Sequence, residues 1–336
     1  MSELRIWVDD LLGRITMYRL VIYGLLAIAL TSVGLMFSSY LTYSPASFVV
    51  SIIISVGVSY GANRLFGWLF GIRPHGESAI ITGLIISLLF SPPVTVLAGV
   101  KLALIATIAA ASKYLLVIRG KHVFNPTAIA IVIGSVSGLA YATWWIATPA
   151  LIPVTTVVVA LILYKTQKFQ MALTFIFVAV LMIIMQSFQL GTTSLQSISV
   201  ALTSWPLIFF VGIMLSEPLT LAPRRSQQLA IAAGVGVLMT LPLHYGALLM
   251  TPALALVIGN IVSFWLSVRR TIKLRLVSTR RQGKDGHELL FDTTPINFIP
   301  GQYIELSLPH HRADSRGVRR IFSIIGRPQD SQLSIA

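Results

Sequence analysis

No cysteine occurs among the 336 residues. Disulfides, Cys-ligated zinc and Cys-ligated iron–sulfur clusters are therefore excluded, and any redox chemistry has to come from an organic cofactor or from haem held by histidine. Charge is also scarce: 11% of residues are charged, against roughly 25% in an ordinary soluble domain, while 55% are hydrophobic. That composition excludes a soluble globular enzyme. Acidic residues are the rarest charges, 11 against 25 Lys and Arg, for a net charge of +14. In a soluble protein such an excess points to nucleic acid. In a membrane protein it marks the basic loops of cytoplasmic faces, and we expect no nucleic-acid partner. The charges are unevenly spread: residues 1–270 carry 15 Lys and Arg with 5 Asp and Glu, and residues 271–336 carry 10 with 6. Two bodies joined near residue 270 are implied.

A hydrocarbon core of about 30 Å takes about 20 apolar residues per helix. Apolar runs between breakers fall at about 17–38, 47–66, 78–91, 94–113, 124–142, 148–164, 170–187, 198–215, 227–243 and 247–268, which predicts ten spans after a short N-terminal segment, 1–16. That segment, MSELRIWVDDLLGR, is polar for too long before Tyr18 to read as a cleaved signal peptide. With the N-terminus cytoplasmic, Arg64, Arg73, Lys113, Arg119, Lys121, Lys165, Lys168, Arg224, Arg225, Arg269 and Arg270 all fall inside, and the outer loops hold no Lys or Arg. Both termini are thus expected on the cytoplasmic side of a plasma or inner membrane. Lys101 falls within the fourth run, to snorkel to the outer interface or to partner an anion or cofactor. Of the histidines, His75, His122 and His244 do not pair at helix-turn spacing in mid-span as a bis-His haem requires, so haem is not expected.

The chain also repeats itself. Leu89-Phe90-Ser91-Pro92-Pro93-Val94-Thr95 is similar to Met214-Leu215-Ser216-Glu217-Pro218-Leu219-Thr220, and Asn125-Pro126-Thr127-Ala128 through Gly134 to Thr251-Pro252-Ala253-Leu254 through Gly259. Pro92 to Pro218 and Pro126 to Pro252 are both 126 residues apart. Five spans per unit is an odd number, so the second copy sits upside down relative to the first, with interrupted helices at matching positions around a central site. Glu217 is expected at the cytoplasmic Pro218 turn, facing the interface between repeats and held by backbone N–H groups or by Arg224 or Arg225.

The segment Ser78-Ala79-Ile80-Ile81-Thr82-Gly83-Leu84 through Pro93, with Ala111-Ser112-Lys113-Tyr114, Gly120 through Ala128, and Phe209-Phe210-Val211-Gly212 through Thr220, resembles one family: the flavin-carrying membrane subunits of the sodium-pumping NADH:quinone reductase and of the Rnf electron-transport complex. The resemblance implies a ten-helix, 5+5 inverted-repeat fold with FMN or riboflavin in the membrane domain, and assigns Asn125 and Thr148 to that flavin. In the family, FMN is linked through a phosphoester to a threonine in a Ser/Thr-Gly-Ala-Thr motif with an upstream Asp. The nearest match, Trp145-Ile146-Ala147-Thr148-Pro149, keeps Ala-Thr-Pro and lacks the rest, so a non-covalent flavin is expected, with Trp144 and Trp145 as stacking rings or interfacial anchors. Read from its residues alone, Thr148 caps the helix that Pro149 opens.

After Arg270 the apolar period becomes two: 272–277, 288–291, 303–308, 320–324 and 332–335 read as five short strands of a small antiparallel barrel, so that 17–270 is the membrane domain and 271–336 a cytoplasmic β module. Phe298-Ile299-Pro300-Gly301-Gln302-Tyr303, followed about twenty residues later by Arg320-Ile321-Phe322-Ser323, resembles the FAD-binding barrel of the ferredoxin–NADP reductase family. The resemblance implies FAD on Pro300, Gly301, Gln302 and Tyr303, with Arg320 on the pyrophosphate, Phe322 stacked on the isoalloxazine and Ser323 near N5. That family continues with a sixth strand and a nicotinamide-binding lobe. No Gly-rich nucleotide loop occurs in these 336 residues, so the NAD(P)H lobe is expected to be missing by truncation or supplied by a partner. The leading expectation is an oxidoreductase that moves electrons from NAD(P)H through FAD and a membrane-held flavin to an extracytoplasmic acceptor, a quinone or an electron-transfer partner protein. The alternatives are a flavin or small-solute transporter or channel with a regulatory barrel, and a non-catalytic scaffold component of an Rnf-like complex.

Overall fold

The computed structural model describes residues 3–118, 121–189, 191, 194–245, 248–267, 272–282, 286–293, 296, 298, 301–307, 319–325 and 332–335. The chain divides into a helical unit, Met1–Val268, and a β unit, Arg269–Ala336.

In the helical unit, α1 (Glu3–Arg14) precedes α2 (Met17–Phe37), α3 (Pro45–Leu69), α4 (Gly76–Leu89) and α5 (Val96–Leu115); a hairpin of β1 (Val117–Ile118) and β2 (Lys121–His122) leads into α6 (Pro126–Val136). Two short 3₁₀ turns follow, then α7 (Ile152–Thr166), α8 (Phe169–Gln189), α9 (Ser194–Ser204) and α10 (Leu207–Phe209), which runs on as a π-helix over Phe210–Leu215. Then come α11 (Arg225–Thr240), the hairpin β3 (His244–Tyr245) and β4 (Leu248–Leu249), and α12 (Pro252–Leu266). Five segments are long and apolar enough to cross a membrane: Met17–Phe37, Pro45–Leu69, Val96–Leu115, Pro149–Thr166 and Phe169–Gln189. Gly76–Leu89, Pro126–Val136 and Pro252–Leu266 are apolar but shorter. The eighth apolar run is not one helix. Pro206 has no N–H to continue the ladder, and the chain breaks at Trp205-Pro206 between α9 and α10.

The elements recur in order. α4 ends at Leu89 and the π-helix at Leu215, while α6 opens at Pro126 and α12 at Pro252, each pair 126 residues apart. Asn125 and Thr251 both cap their helix with a side-chain oxygen, each with proline in the first turn and each preceded by a two-residue-stranded hairpin. Packing recurs too: α3 lies on α4 and α5 as α8 lies on the π-helix and α11, while α2 meets α7 and α6 meets α12 between the copies.

Small residues permit this close packing, as is usual between membrane helices. A Cβ on Gly83 would lie 2.5 Å from Val56 Cα of α3, and one on Gly212 would overlap the Val159 side chain of α7. The face that α3 buries is a stripe four residues apart: Ser51, Ser55, Ser59 and Asn63. At one end of the bundle, Lys165 Nζ donates to the carbonyls of Leu12 and Ile15, and Tyr164 Oη to Asp9 Oδ1 at 2.7 Å, which ties α1 to the end of α7.

In the β unit, β5 (Arg275–Gln282), β6 (Gly286–Asp292), β7 (Tyr303–Ser307), β8 (Arg319–Ile325) and β9 (Gln332–Ile335) form one antiparallel sheet in the order β5-β6-β9-β8-β7. The described strands form this open sheet, with β5 and β7 at its edges. Phe291, Leu306, Leu333 and Ile335 are its buried core.

Candidate functional site

Among the described residues, the helical unit contains one charged cluster away from its surface, at the Pro218 turn. The π-helix ends at Leu215, and the chain turns through Ser216, Glu217 and Pro218. Glu217 is half-buried there, and its Oε2 accepts from Asn125 Nδ2 at 2.8 Å. The same amide approaches the Met214 carbonyl at 3.4 Å, a backbone acceptor that the broken helix leaves without an intrahelical donor. Asn125 Oδ1 accepts from Ala128 N at 3.0 Å as the cap of α6, and Asn125 N donates to Asn260 Oδ1 of α12 at 2.8 Å. Ser263, one turn beyond Asn260, donates to the Thr220 carbonyl at 2.5 Å. Lys113, in the last turn of α5, donates to the carbonyl and hydroxyl of Ser78 at 2.9 and 3.0 Å, and its positive charge acts on the Glu217 carboxylate. Glu217 is thus bonded by Asn125, with the Lys113 charge acting on it, and not by Arg224 or Arg225 as its sequence neighbourhood suggests. Burying a carboxylate is costly unless it is compensated, and here the Asn125 amide bonds the carboxylate while the Lys113 charge acts on it without a direct ion pair.

The matching position of the first copy carries no charge. At the end of α4, the Leu89 carbonyl accepts from Thr143 N and Trp144 N at 2.8 and 3.0 Å, and the Phe90 carbonyl from Trp145 Nε1 at 3.0 Å. Ser91 stands where the second copy has Glu217, and bonds Tyr43 and Thr143 through hydroxyls at 3.3 Å. The two helix breaks are therefore satisfied by different chemistry, neutral at one and ionic at the other.

Thr148 does not form the cap expected of it. Its hydroxyl donates back to the Trp145 carbonyl at 2.5 Å, and the turn it precedes, Pro149–Leu151, receives no side-chain cap. Trp145 is buried, with Phe48 and Tyr43 against it edge-on at centroid distances of 5.2 and 5.6 Å, so its ring is not free to stack on a flavin. Trp144 lies 6.2 Å from the Phe210 ring. Outside the spans, Lys168 in the α7–α8 turn donates to Gln228 Oε1 at 2.7 Å, and burial pushes its ammonium below the usual lysine range.

In the β unit, the register of β7 on β8 sets Tyr303 opposite Ser323, Ile304 opposite Phe322 and Leu306 opposite Arg320. The two sequence motifs therefore meet on adjacent strands at one edge of the sheet. Gly301 has φ +89°, a left-handed conformation that favours glycine, and Gln302 and Tyr303 beyond it are exposed. Tyr303 and Ser323 are exposed side by side, whereas Phe322 is half-buried and packs on the apolar core of the sheet. The free ring at this edge is Tyr303, not Phe322. Pro300 lies outside the described residues, and for Arg320 the strand alone is described.

Lys113, Ser78 and Asn260 are members of the charged cluster that sequence reasoning did not assign to a site. Lys113 reads as one more basic loop residue. Asn260 carries a usable signal as an amide inside the apolar run Pro252–Leu266, where an unpaired polar group is costly. No protein-family model matches the chain, and no curated protein matches it.

Proposed function

We propose that the chain is a membrane flavoprotein that takes electrons from NAD(P)H through FAD on the β unit and passes them to a quinone or an extracytoplasmic acceptor. The observation that carries this reading is the β7–β8 register, which brings Gly301-Gln302-Tyr303 alongside Arg320-x-Phe322-Ser323. The side chains there suit FAD. The exposed Tyr303 ring offers a stacking face, the neighbouring Ser323 hydroxyl can bond a flavin edge, and open space beside Gly301 lets a ligand approach the backbone. Arg320 contributes the cation that a pyrophosphate requires. Bound FAD supplies the step from two-electron hydride chemistry to one-electron transfer. Closure of the sheet into a barrel by a strand between β5 and β7, and a nicotinamide lobe supplied from outside these residues, belong to the same proposal.

The helical unit enters the proposal as ten spans in two inverted halves, with both termini on the cytoplasmic side of the inner membrane. Its support is the recurring order of elements and the segregation of Lys and Arg among the loops. A flavin inside this unit does not fit the residues assigned to it. The Asn125 side chain is taken up by Glu217, Met214 and Ala128, and the Thr148 hydroxyl by Trp145. No step is therefore routed through a second flavin.

The test is absorbance of the purified protein before and after acid precipitation, with NADPH and then dithionite added. Stoichiometric flavin that leaves with the acid supernatant and bleaches on reduction is expected. Protein free of flavin after mild extraction would overturn the redox reading in favour of solute transport or a scaffold role. Flavin that stays with the precipitate would restore a covalent site.

A further inference from the structure

A threonine inside a helix ordinarily returns its proton to the carbonyl four residues back, as Thr156 does to Ile152 and Thr166 to Ile162, both at 2.8 Å. Thr155, near the start of α7, does not. It is 3% exposed, and its Oγ1 has no hydrogen-bond partner among the described residues. A buried hydroxyl left in that state is costly. Thr155 also lines a cavity of about 20 Å³ between α7 and the α9–α10 break, with Ala147, Ile152, Trp205, Pro206 and Phe209 as further walls. One water takes about 10–15 Å³ measured in the same way. The far wall supplies acceptors. In a continuous helix the N–H groups of residues 206 and 207 would serve the carbonyls of residues 202 and 203. Pro206 has no N–H, and Leu207 N donates to the Trp205 carbonyl at 2.8 Å, so both carbonyls at the end of α9 are without these donors. The repeat does not demand this break. At the offset of 126 residues the first copy has Ala79-Ile80, inside the unbroken helix α4. The cavity therefore belongs to the second copy and not to the shared scaffold.

We propose that this cavity binds one water molecule, hydrogen-bonded to Thr155 Oγ1 and donating to a carbonyl of the last turn of α9. The water takes the place of the donor that Pro206 lacks, and so lets α9 and α10 part inside the helical unit. It satisfies the Thr155 hydroxyl at the same time. The proposal is independent of flavin. Its test uses the full chain in nanodiscs, as the parent, as Thr155→Val, which has nearly the same shape without the hydroxyl, and as Thr155→Ser, which keeps the hydroxyl. X-ray radiolysis turns bound water into hydroxyl radicals that oxidise the side chains beside it, and mass spectrometry reads the oxidation of Trp205 and Phe209. The valine variant is expected to show about fivefold less oxidation there, the occupancy lost with one hydrogen bond. Its Tm should fall by about 1–6 °C, whereas the serine variant keeps the parental labelling. A valine variant as stable as the parent, or more stable, is the result for a dry hydroxyl and overturns the proposal. So does oxidation of Trp205 and Phe209 that is absent from the parent. A lower Tm with unchanged oxidation also overturns it, and assigns the hydroxyl to the Leu151 carbonyl one turn back.

Discussion

Asn125 joins both copies of the repeat to the Glu217 carboxylate at the Pro218 turn, so its replacement tests that architecture directly. Its amide donates to the Glu217 carboxylate at 2.8 Å, and its side-chain oxygen caps α6 at Ala128 N. A hydrogen bond to a charged group contributes about 1.5–3 kcal/mol, and a helix cap about 1 kcal/mol. Asn125→Ala loses both and should cost about 2.5–4 kcal/mol. Asn125→Ser keeps an oxygen for the cap and loses only the donor to Glu217, for about 1.5–3 kcal/mol. In a unit of this size each kcal/mol moves Tm by about 2–4 °C, so the serine variant should unfold about 3–12 °C lower. Glu217→Gln removes the charge that makes the missing donor expensive. The double variant should therefore be more stable than the two single losses predict, by about 1 kcal/mol or more. The assay is thermal unfolding in one detergent at one scan rate, because unfolding of such a chain is under kinetic control. Strictly additive losses, or a serine variant with the parental Tm, would refute the assignment of Asn125 as the donor that supports Glu217.

Further outcomes are expected. Gly83→Ala should lower the yield of folded protein or its Tm by the equivalent of about 1–3 kcal/mol, because the new Cβ meets the backbone of α3 and not a movable side chain; Gly212→Ala should do the same but recover with Val159→Ala, where the overlap is with a side chain, and failure of that rescue would argue against the packing. Arg320→Ala should weaken flavin binding about tenfold or more, by removing a charge-assisted bond of about 1.5–3 kcal/mol to the pyrophosphate, and unchanged flavin content in titrations would remove FAD from this edge. Gly301→Ala places a side chain at φ +89° and should cost about 1–2 kcal/mol, measured as a lower unfolding midpoint of the β unit. Burial lowers the Lys168 pKa, so the folded state binds fewer protons there than the unfolded state as pH approaches the ordinary lysine value of about 10.4. The burial cost of the charged form is felt below the folded pKa and lifts above it. The Tm of the parent protein relative to Lys168→Gln should therefore rise as the pH climbs towards the ordinary lysine value of about 10.4, and a falling difference would contradict the sign.

Much of this molecule is determined locally. Apolar runs, prolines and the change of period after Arg270 mark the helices and strands because each rests on a one-dimensional rule: membrane thickness, the missing proline N–H, and the two-residue alternation of a strand. The repeat is visible because its anchors, Pro92 with Pro218 and Pro126 with Pro252, are backbone devices that leave the same mark in both copies. Other features depend on which elements meet. Nothing in the spacing of Lys113 and Glu217 says that the end of α5 comes up beside the Pro218 turn, and the basic pair at Arg224 and Arg225, nearer in sequence, is the wrong partner. Asn260 and Asn125, 135 residues apart, are joined only because α6 and α12 cross between the copies. In the β unit the sequence names the motif but not its faces. A strand alternates sides residue by residue, so which of Phe322 and Ser323 packs inward depends on where the sheet finds its core, and Phe291, Leu306, Leu333 and Ile335 draw Phe322 in and leave Tyr303 and Ser323 outside. Local chemistry specified the elements; long-range packing decided which of their polar and aromatic side chains stand together.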